Sequence, residues 1–263
     1  MSDVFDFHEG DSPLLISIPH DGRELTPDAP TAMTAAGRQI PDTDWHVARL
    51  YAFARDLGAS ILSARYSRYV VDLNRPPDDS SLYQGKEGTG LCPHHTFSGE
   101  PIYEGTPEID IRQRLDRYWR PYHDKIADTL AALHDRHGLA LLWDAHSIAS
   151  RVPMLFDGSL PALNIGTFGG RSCGADRAQA VVDVATAGPY DSVVNARFKG
   201  GYITRHYGDP ENGIHALQLE LAQRCYMDEE TTLYDESKAL QLSLIHISEP
   251  TRHICLSRMP SSA

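Results

Sequence analysis

Short apolar runs alternate along the chain with segments of helical period. Leu14–Ile18 is an apolar-rich run that stops at Pro19, and residues 59–62 and 69–73 read the same way. Between them, residues 44–57 carry Trp45, Val47, Leu50, Tyr51, Ala54 and Leu57 at helical spacing and end at Gly58, a common helix terminator. Residues 74–106 are rich in Pro, Gly, Asp and Ser and show no period, so they predict a long loop of functional rather than incidental character. Thr106-Pro107 has the form of a helix start, and the helix is expected to run through Leu115, Tyr118 and Trp119 to Leu133, kinked at Pro121 and closed by Gly138. Residues 139–143 form a continuous apolar run, the pattern of a strand buried on both faces. Further strands are expected at 162–165, 192–198 and 215–221, with helices at 176–187 and 229–242. Such alternation predicts one α/β domain over residues 1–242, with a central mixed, mainly parallel sheet flanked by helices.

The pattern breaks at Ser243. Residues 243–263, SLIHISEPTRHICLSRMPSSA, resemble the translation of a sequencing-adapter read-through and are read as a non-native tail, so His246, His253 and Cys255 are set aside.

Composition narrows the function. The 263 residues include 24 Lys and Arg against 36 Asp and Glu, a net charge of -12, which disfavours nucleic acid and anionic membranes as partners. No apolar run approaches the roughly 18 residues of a membrane span, and the acidic start lacks the form of a secretory signal. The four cysteines form no CxxC pair, which argues against a disulfide scaffold and suits a reducing, cytoplasmic setting. Thirteen histidines point towards metal or acid–base chemistry.

In a parallel sheet, sites form beyond the carboxyl ends of the strands. His20 follows the run LLISIP, and His146 follows ALLWD; each could ligate a metal or simply bond a turn. Asp42 and Asp44 in PDTDWHV could each cap the following helix or face the metal, and Asp144 is a candidate to orient His146. In HALQLELAQR, Gln218 and Glu220 share one face, so Glu220 is either part of a charged surface or a buried general base. Arg75, next to Asn74, and Arg205 lie beside Gly or Pro turns, and Arg offers a bidentate fork for carboxylates. In so acidic a chain, a small anionic substrate needs such local clamps.

The strings ISIPHDG, PDTDWHVARLY, YVVDLNRP, TFSGEPIY, WDAHSI, GGYITRHYG and ALQLELAQRCYM, in this order, resemble the N-formylglutamate amidohydrolase family. The likeness extends over nearly all of the chain before the tail. It implies a fold like that of the zinc carboxypeptidases and aspartoacylase. It also implies one catalytic divalent metal, most simply zinc, held by His20, Asp44 and His146. The compact HxxE pairing of carboxypeptidases is missing; Glu24 falls one residue late and stands as an alternative carboxylate ligand. Asn74-Arg75 matches the pair that grips the substrate carboxylate, Glu220 matches the catalytic glutamate, and Arg205 is a second substrate contact. The implied reaction is hydrolysis of N-formyl-L-glutamate to L-glutamate and formate, the last step of a histidine degradation route. Competing readings are a zinc amidase for another N-acyl acidic amino acid, a non-haem iron oxygenase, and a non-catalytic binder of acidic amino acids.

Overall fold

The architecture follows from strands that must bury both faces. In the computed structural model, which describes residues 4–27, 29–82 and 89–247, these are β1 (Phe5–His8), β2 (Leu14–Ile18), β3 (Ser60–Ala64), β4 (Ala140–Ile148), β5 (Leu163–Gly166), β6 (Ser192–Val194) and β7 (Ile214–Ala222). They form one seven-stranded sheet in the order β1-β3-β2-β4-β7-β5-β6. The ladders β3–β2, β2–β4, β4–β7 and β5–β6 are parallel, while β1–β3 and β7–β5 are antiparallel. The sheet is therefore mixed and mainly parallel, in an α/β fold as expected.

Alternation along each strand divides the core in two. Leu14, Ile16, Ile18, Leu141, Leu217 and Leu219 face one side, where Val47, Leu50, Ala54, Val181 and Ala185 cover them. Leu15, Leu62, Leu142 and Ala216 face the other, under Tyr122, Ile126, Leu130 and Leu133 of the long helix Arg120–His137. Ser17, the polar position of β2, is matched by the Tyr122 hydroxyl at 3.0 Å.

Several expected elements differ. Residues 69–73 are buried but lie outside any ladder: Val70 N–H donates to Ser67 O and Asp72 N–H to Leu91 O, and the chain turns at Asp72. The Asp72 carboxylate accepts the Asn74 N–H at 2.8 Å, a local bond that competes with strand pairing. Thr106 does not begin the long helix. It starts at Ile111, where Asp110 caps the Gln113 N–H. A π-turn, Leu115–Trp119, leads into Arg120–His137; Pro121 has no N–H to give the preceding turn, and the wider winding absorbs the defect. Gly138, at φ 72°, closes the helix as expected.

The helical pattern of 44–57 resolves into Val47–Leu50 and a 3₁₀ segment, Ala52–Leu57, ended by Gly58 at φ 71°. The last helix begins at Glu236 rather than 229, because the Asp228 side chain holds a turn on the Glu230 and Thr231 N–H groups. Its backbone continues past Leu242 to Ile247. Most of the proposed tail, residues 248–263, lies outside the described residues. No helix among the described residues is long and apolar enough to cross a membrane.

Candidate metal centre

Parallel ladders bring the carboxyl ends of β2, β4 and β7 to one edge of the sheet, and the chemistry collects there. Pro19 ends β2 and His20 follows at the rim, while His146 lies near the end of β4. Asp44 reaches both from a segment tied to the rim by its own N–H, which donates to His20 O at 3.0 Å. Ligand atoms of His20, Asp44 and His146 lie within 4.8 Å of one another, and all three residues are buried. The Asp44 carboxylate lies 3.0 Å from His146 Nδ1 and 3.8 Å from His20 Nδ1, and it accepts the Ser147 N–H at 3.1 Å.

Each imidazole is backed by a further buried carboxylate. His20 Nε2–H donates to Asp72 at 2.8 Å, leaving Nδ1 turned towards Asp44. His146 Nε2 lies 3.1 Å from Asp144, the partner anticipated for it, and 2.9 Å from Asn74 Nδ2. One oxygen each of Asp72 and Asp144 is buried without a hydrogen bond. Burial would push Asp72 up, but the charges of His20, Arg68 and Arg75 outweigh it and hold the carboxyl well below its ordinary range. Burial and the Arg68 charge push His20 down, towards the neutral ring, whereas at His146 burial is outweighed by the Asp144 and Asp44 carboxylates, which push the ring up. Two imidazoles and one carboxylate, with carboxylates behind the rings, match the donor chemistry of a divalent metal with an open position. The residues present therefore fit the metal that the resemblance implies.

The other carboxylates serve elsewhere. Asp42 accepts from the Tyr69 hydroxyl at 2.6 Å and from the Phe97 N–H at 2.9 Å. Neither Asp42 nor Asp44 caps Val47–Leu50 through its side chain; Asp21 does, accepting from the His46 and Ala48 N–H groups. Glu24 is exposed and paired with Arg65, away from the cluster.

Glu220 on β7 is the register partner of His146. It is buried and accepts from Gln218 Nε2 at 3.0 Å, so it belongs to the interior rather than to a charged surface. Burial is the main cause that pushes its carboxyl up to about 8. It lines, with His20, Asp44 and His146, a cavity of about 400 Å³ that also presents Arg68, Arg75, Phe97, Ser147, Arg197 and Gln218. A second, almost wholly apolar cleft lies at the opposite strand ends, by Leu14, Leu141 and His215.

Asn74 and Arg75 stand in the cavity wall. Asn74 Oδ1 accepts the Ile203 N–H at 2.8 Å, and the Arg75 carbonyl accepts from Trp119 Nε1 at 3.0 Å, so two helical segments of the same layer hold this pair. Arg205 is not in the wall. Its guanidinium donates to the carbonyls of Gly200 and Leu82 and lies over the Phe168 ring. Two arginines without a sequence assignment take its place in the cavity, Arg68 and Arg197. Arg68 donates to His20 Nδ1 at 2.5 Å and lies 3.5 Å from Asp72 and 3.9 Å from Asp44. The spacing Arg68 to Asp72 in RYVVD is the one sequence signal that couples it to the site.

Comparison with known proteins gives the family and the fold. The sequence profile of the N-formylglutamate amidohydrolase family matches residues 12–227. The chain is 54% identical over 235 residues to an N-formylglutamate deformylase of Pseudomonas putida, covering 87% of each. It is 55% identical over 236 residues to one from Pseudomonas aeruginosa, covering 88% of each. Its fold is that of the N-formylglutamate amidohydrolase from Ralstonia eutropha JMP134, with a TM-score of 0.82 at 23% identity over 96% of this chain and 97% of the other. It is also that of the Agrobacterium tumefaciens protein Atu2144, with a TM-score of 0.71 at 17% identity over 97% and 95%. With a family match from residue 12 to 227 and relatives above half identity over most of its length, the chain belongs to the N-formylglutamate amidohydrolase family.

Proposed function

We propose that the chain hydrolyses N-formyl-L-glutamate to L-glutamate and formate, with a divalent metal, most simply zinc, held by His20, Asp44 and His146. The observation that carries this reading is the buried His–Asp–His cluster beside Glu220, on a cavity lined by three arginines. On the same reading the reaction closes a bacterial route of histidine degradation.

When bound, such a metal supplies Lewis acidity, making water a stronger nucleophile and polarising the formyl oxygen. Asp72 and Asp144 orient the two imidazoles and keep them turned towards Asp44. Glu220 takes a proton from the attacking water and returns it to the leaving nitrogen. A carboxyl raised by burial holds that proton more firmly than an ordinary one and suits the double duty. Arg68, beside the cluster, donates to the formyl oxygen as negative charge develops on it. The Arg75 fork receives a substrate carboxylate, with Asn74 keeping it next to His146.

Release of formate from N-formyl-L-glutamate, measured with and without a chelator and against the N-acetyl analogue, tests the reading. Formate release that the chelator abolishes is expected. Turnover that survives complete metal removal overturns the metal assignment, and a preference for the acetyl substrate overturns the formyl one.

A further inference from the structure

Two of the three arginines in the cavity wall, Arg75 and Arg197, have no carboxylate within ion-pair distance among the described residues. Arg68 has the Asp44 and Asp72 carboxylates within ion-pair distance, so its charge is balanced. Arg75 donates to Asn74 O and to the Thr89 hydroxyl, and has no carboxylate within ion-pair distance among the described residues. Arg197 goes further. It is half-buried, its Nε is shielded from solvent without a hydrogen-bond partner, and among the described residues it meets no carboxylate. Its guanidinium carbon lies 5.9 Å from the centre of the Phe198 ring, which packs on Phe156. Asp79, in the same wall, accepts the Leu91 N–H at 2.6 Å and does not pair with Arg197. A cation partly stripped of water and left unpaired is unfavourable unless something else completes it.

Resting on the reading of the substrate above, we propose that Arg197 is the subsite for the side-chain carboxylate of the acyl amino acid, with Arg75 taking the α-carboxylate. Position assigns the two. Arg75 lines this cavity alone, with its backbone tied beside His146 through Asn74 and its Nη2 on Thr89 at the border with the outer cavity, so it lies inward of Arg197, nearer the carbon bearing the scissile nitrogen. Arg197 lines both this cavity and the outer one that opens beside Met154 and His95. The side-chain carboxylate of a glutamyl substrate extends away from the reacting bond, towards that outer end. Two guanidiniums with no carboxylate in ion-pair distance among the described residues, one inner and one outer, thus match a dicarboxylate, and Arg197 is the group that distinguishes an acidic side chain from a neutral one. Arg205 is already occupied by backbone carbonyls.

The test compares N-formyl-L-glutamate with N-formyl-L-glutamine, which keeps the shape and the α-carboxylate but loses the side-chain charge. The wild-type protein is expected to prefer the acid by about tenfold to a hundredfold in kcat/KM, the scale of one hydrogen-bonded charge. Arg197→Gln should collapse that preference through KM for the acid, Arg197→Lys should keep part of it, and Arg75→Gln should raise KM for both substrates. Competitive inhibition of the wild-type protein reads the same subsite without a variant: glutarate should inhibit at least about tenfold better than pentanoate. An undiminished preference in Arg197→Gln, or equal losses on both substrates with circular dichroism unchanged, overturns the subsite alone. A wild-type protein that releases no formate from either substrate overturns the functional reading, and the subsite with it.

Discussion

His146 on β4 and Glu220 on β7 are direct partners in a parallel ladder, so a ligand candidate and a base candidate are held side by side by backbone hydrogen bonds. Strand pairing sets their spacing more rigidly than a loop could. Glu220→Gln should therefore keep the fold and the bound metal while kcat falls by about 10²–10⁴-fold, the scale of a positioned general base. The group is active when ionised, so wild-type activity should rise with pH through an ionisation above the ordinary carboxylate range, and the variant should lose that rise. Metal analysis alongside kinetics checks it: lost metal would make Glu220 a ligand, and near-normal kcat would assign the base to another group.

Metal content discriminates among the carboxylates. His20→Ala, His146→Ala and Asp44→Ala should each lose most of the bound metal, whereas Glu24→Ala should retain it, since Glu24 is exposed on Arg65. Asp72→Asn and Asp144→Asn should weaken metal affinity by about tenfold to a hundredfold, as partners behind the ligands do. A full metal complement in Asp44→Ala would remove that residue from the ligand set.

Arg75→Lys should raise KM for N-formyl-L-glutamate by about tenfold to a hundredfold with metal unchanged, because Lys keeps the charge and loses the fork. Arg205→Lys should act mainly on thermal stability, since the side chain ties together the Gly200 and Leu82 carbonyls. Parallel KM and melting measurements separate the two; a KM effect of Arg205→Lys equal to that of Arg75→Lys would return Arg205 to the substrate site.

His123 makes stability depend on pH. Its ring is buried against Trp119 and bonds Leu73 O and the Tyr207 hydroxyl, and burial pushes it down to about 3 from an ordinary 6.5. The unfolded chain binds this proton below pH 6.5 and the folded one does not until about pH 3. The contribution is thus complete above 6.5 and is lost as pH falls, by up to about 1.4 kcal/mol per unit. Urea unfolding at pH 7 and pH 5 should show the stability gap between wild type and His123→Gln shrinking at the lower pH; a constant gap would mean the folded ring protonates freely.

Ending the chain after Leu242 should leave folding and formate release unimpaired. Leu242 and Ala239 are buried in the core, and no site residue among the described residues follows them. Failure of the shortened chain to fold would show that the last helical turn or the proposed tail is required.

Periodicity in the amino-acid order was enough for β2, β4, β7 and for the end of the long helix at Gly138, because burial on both faces demands unbroken apolar runs and a left-handed terminator favours glycine. The same order identified His20, His146 and Glu220 as polar groups standing out in or beside buried strands, Asp44 as a carboxylate ahead of a helix and Asn74-Arg75 as a polar pair at a Pro turn. It did not carry long-range choices. Asp21 rather than Asp42 or Asp44 caps the helix at Val47, Asp72 bends an expected strand to reach His20, and Arg197 rather than Arg205 lines the cavity. All of these depend on which loops meet at the sheet edge. A guanidinium beside a glycine looks the same in sequence whether it faces two carbonyls or an open cavity, and only the packing of residues distant along the chain distinguishes them.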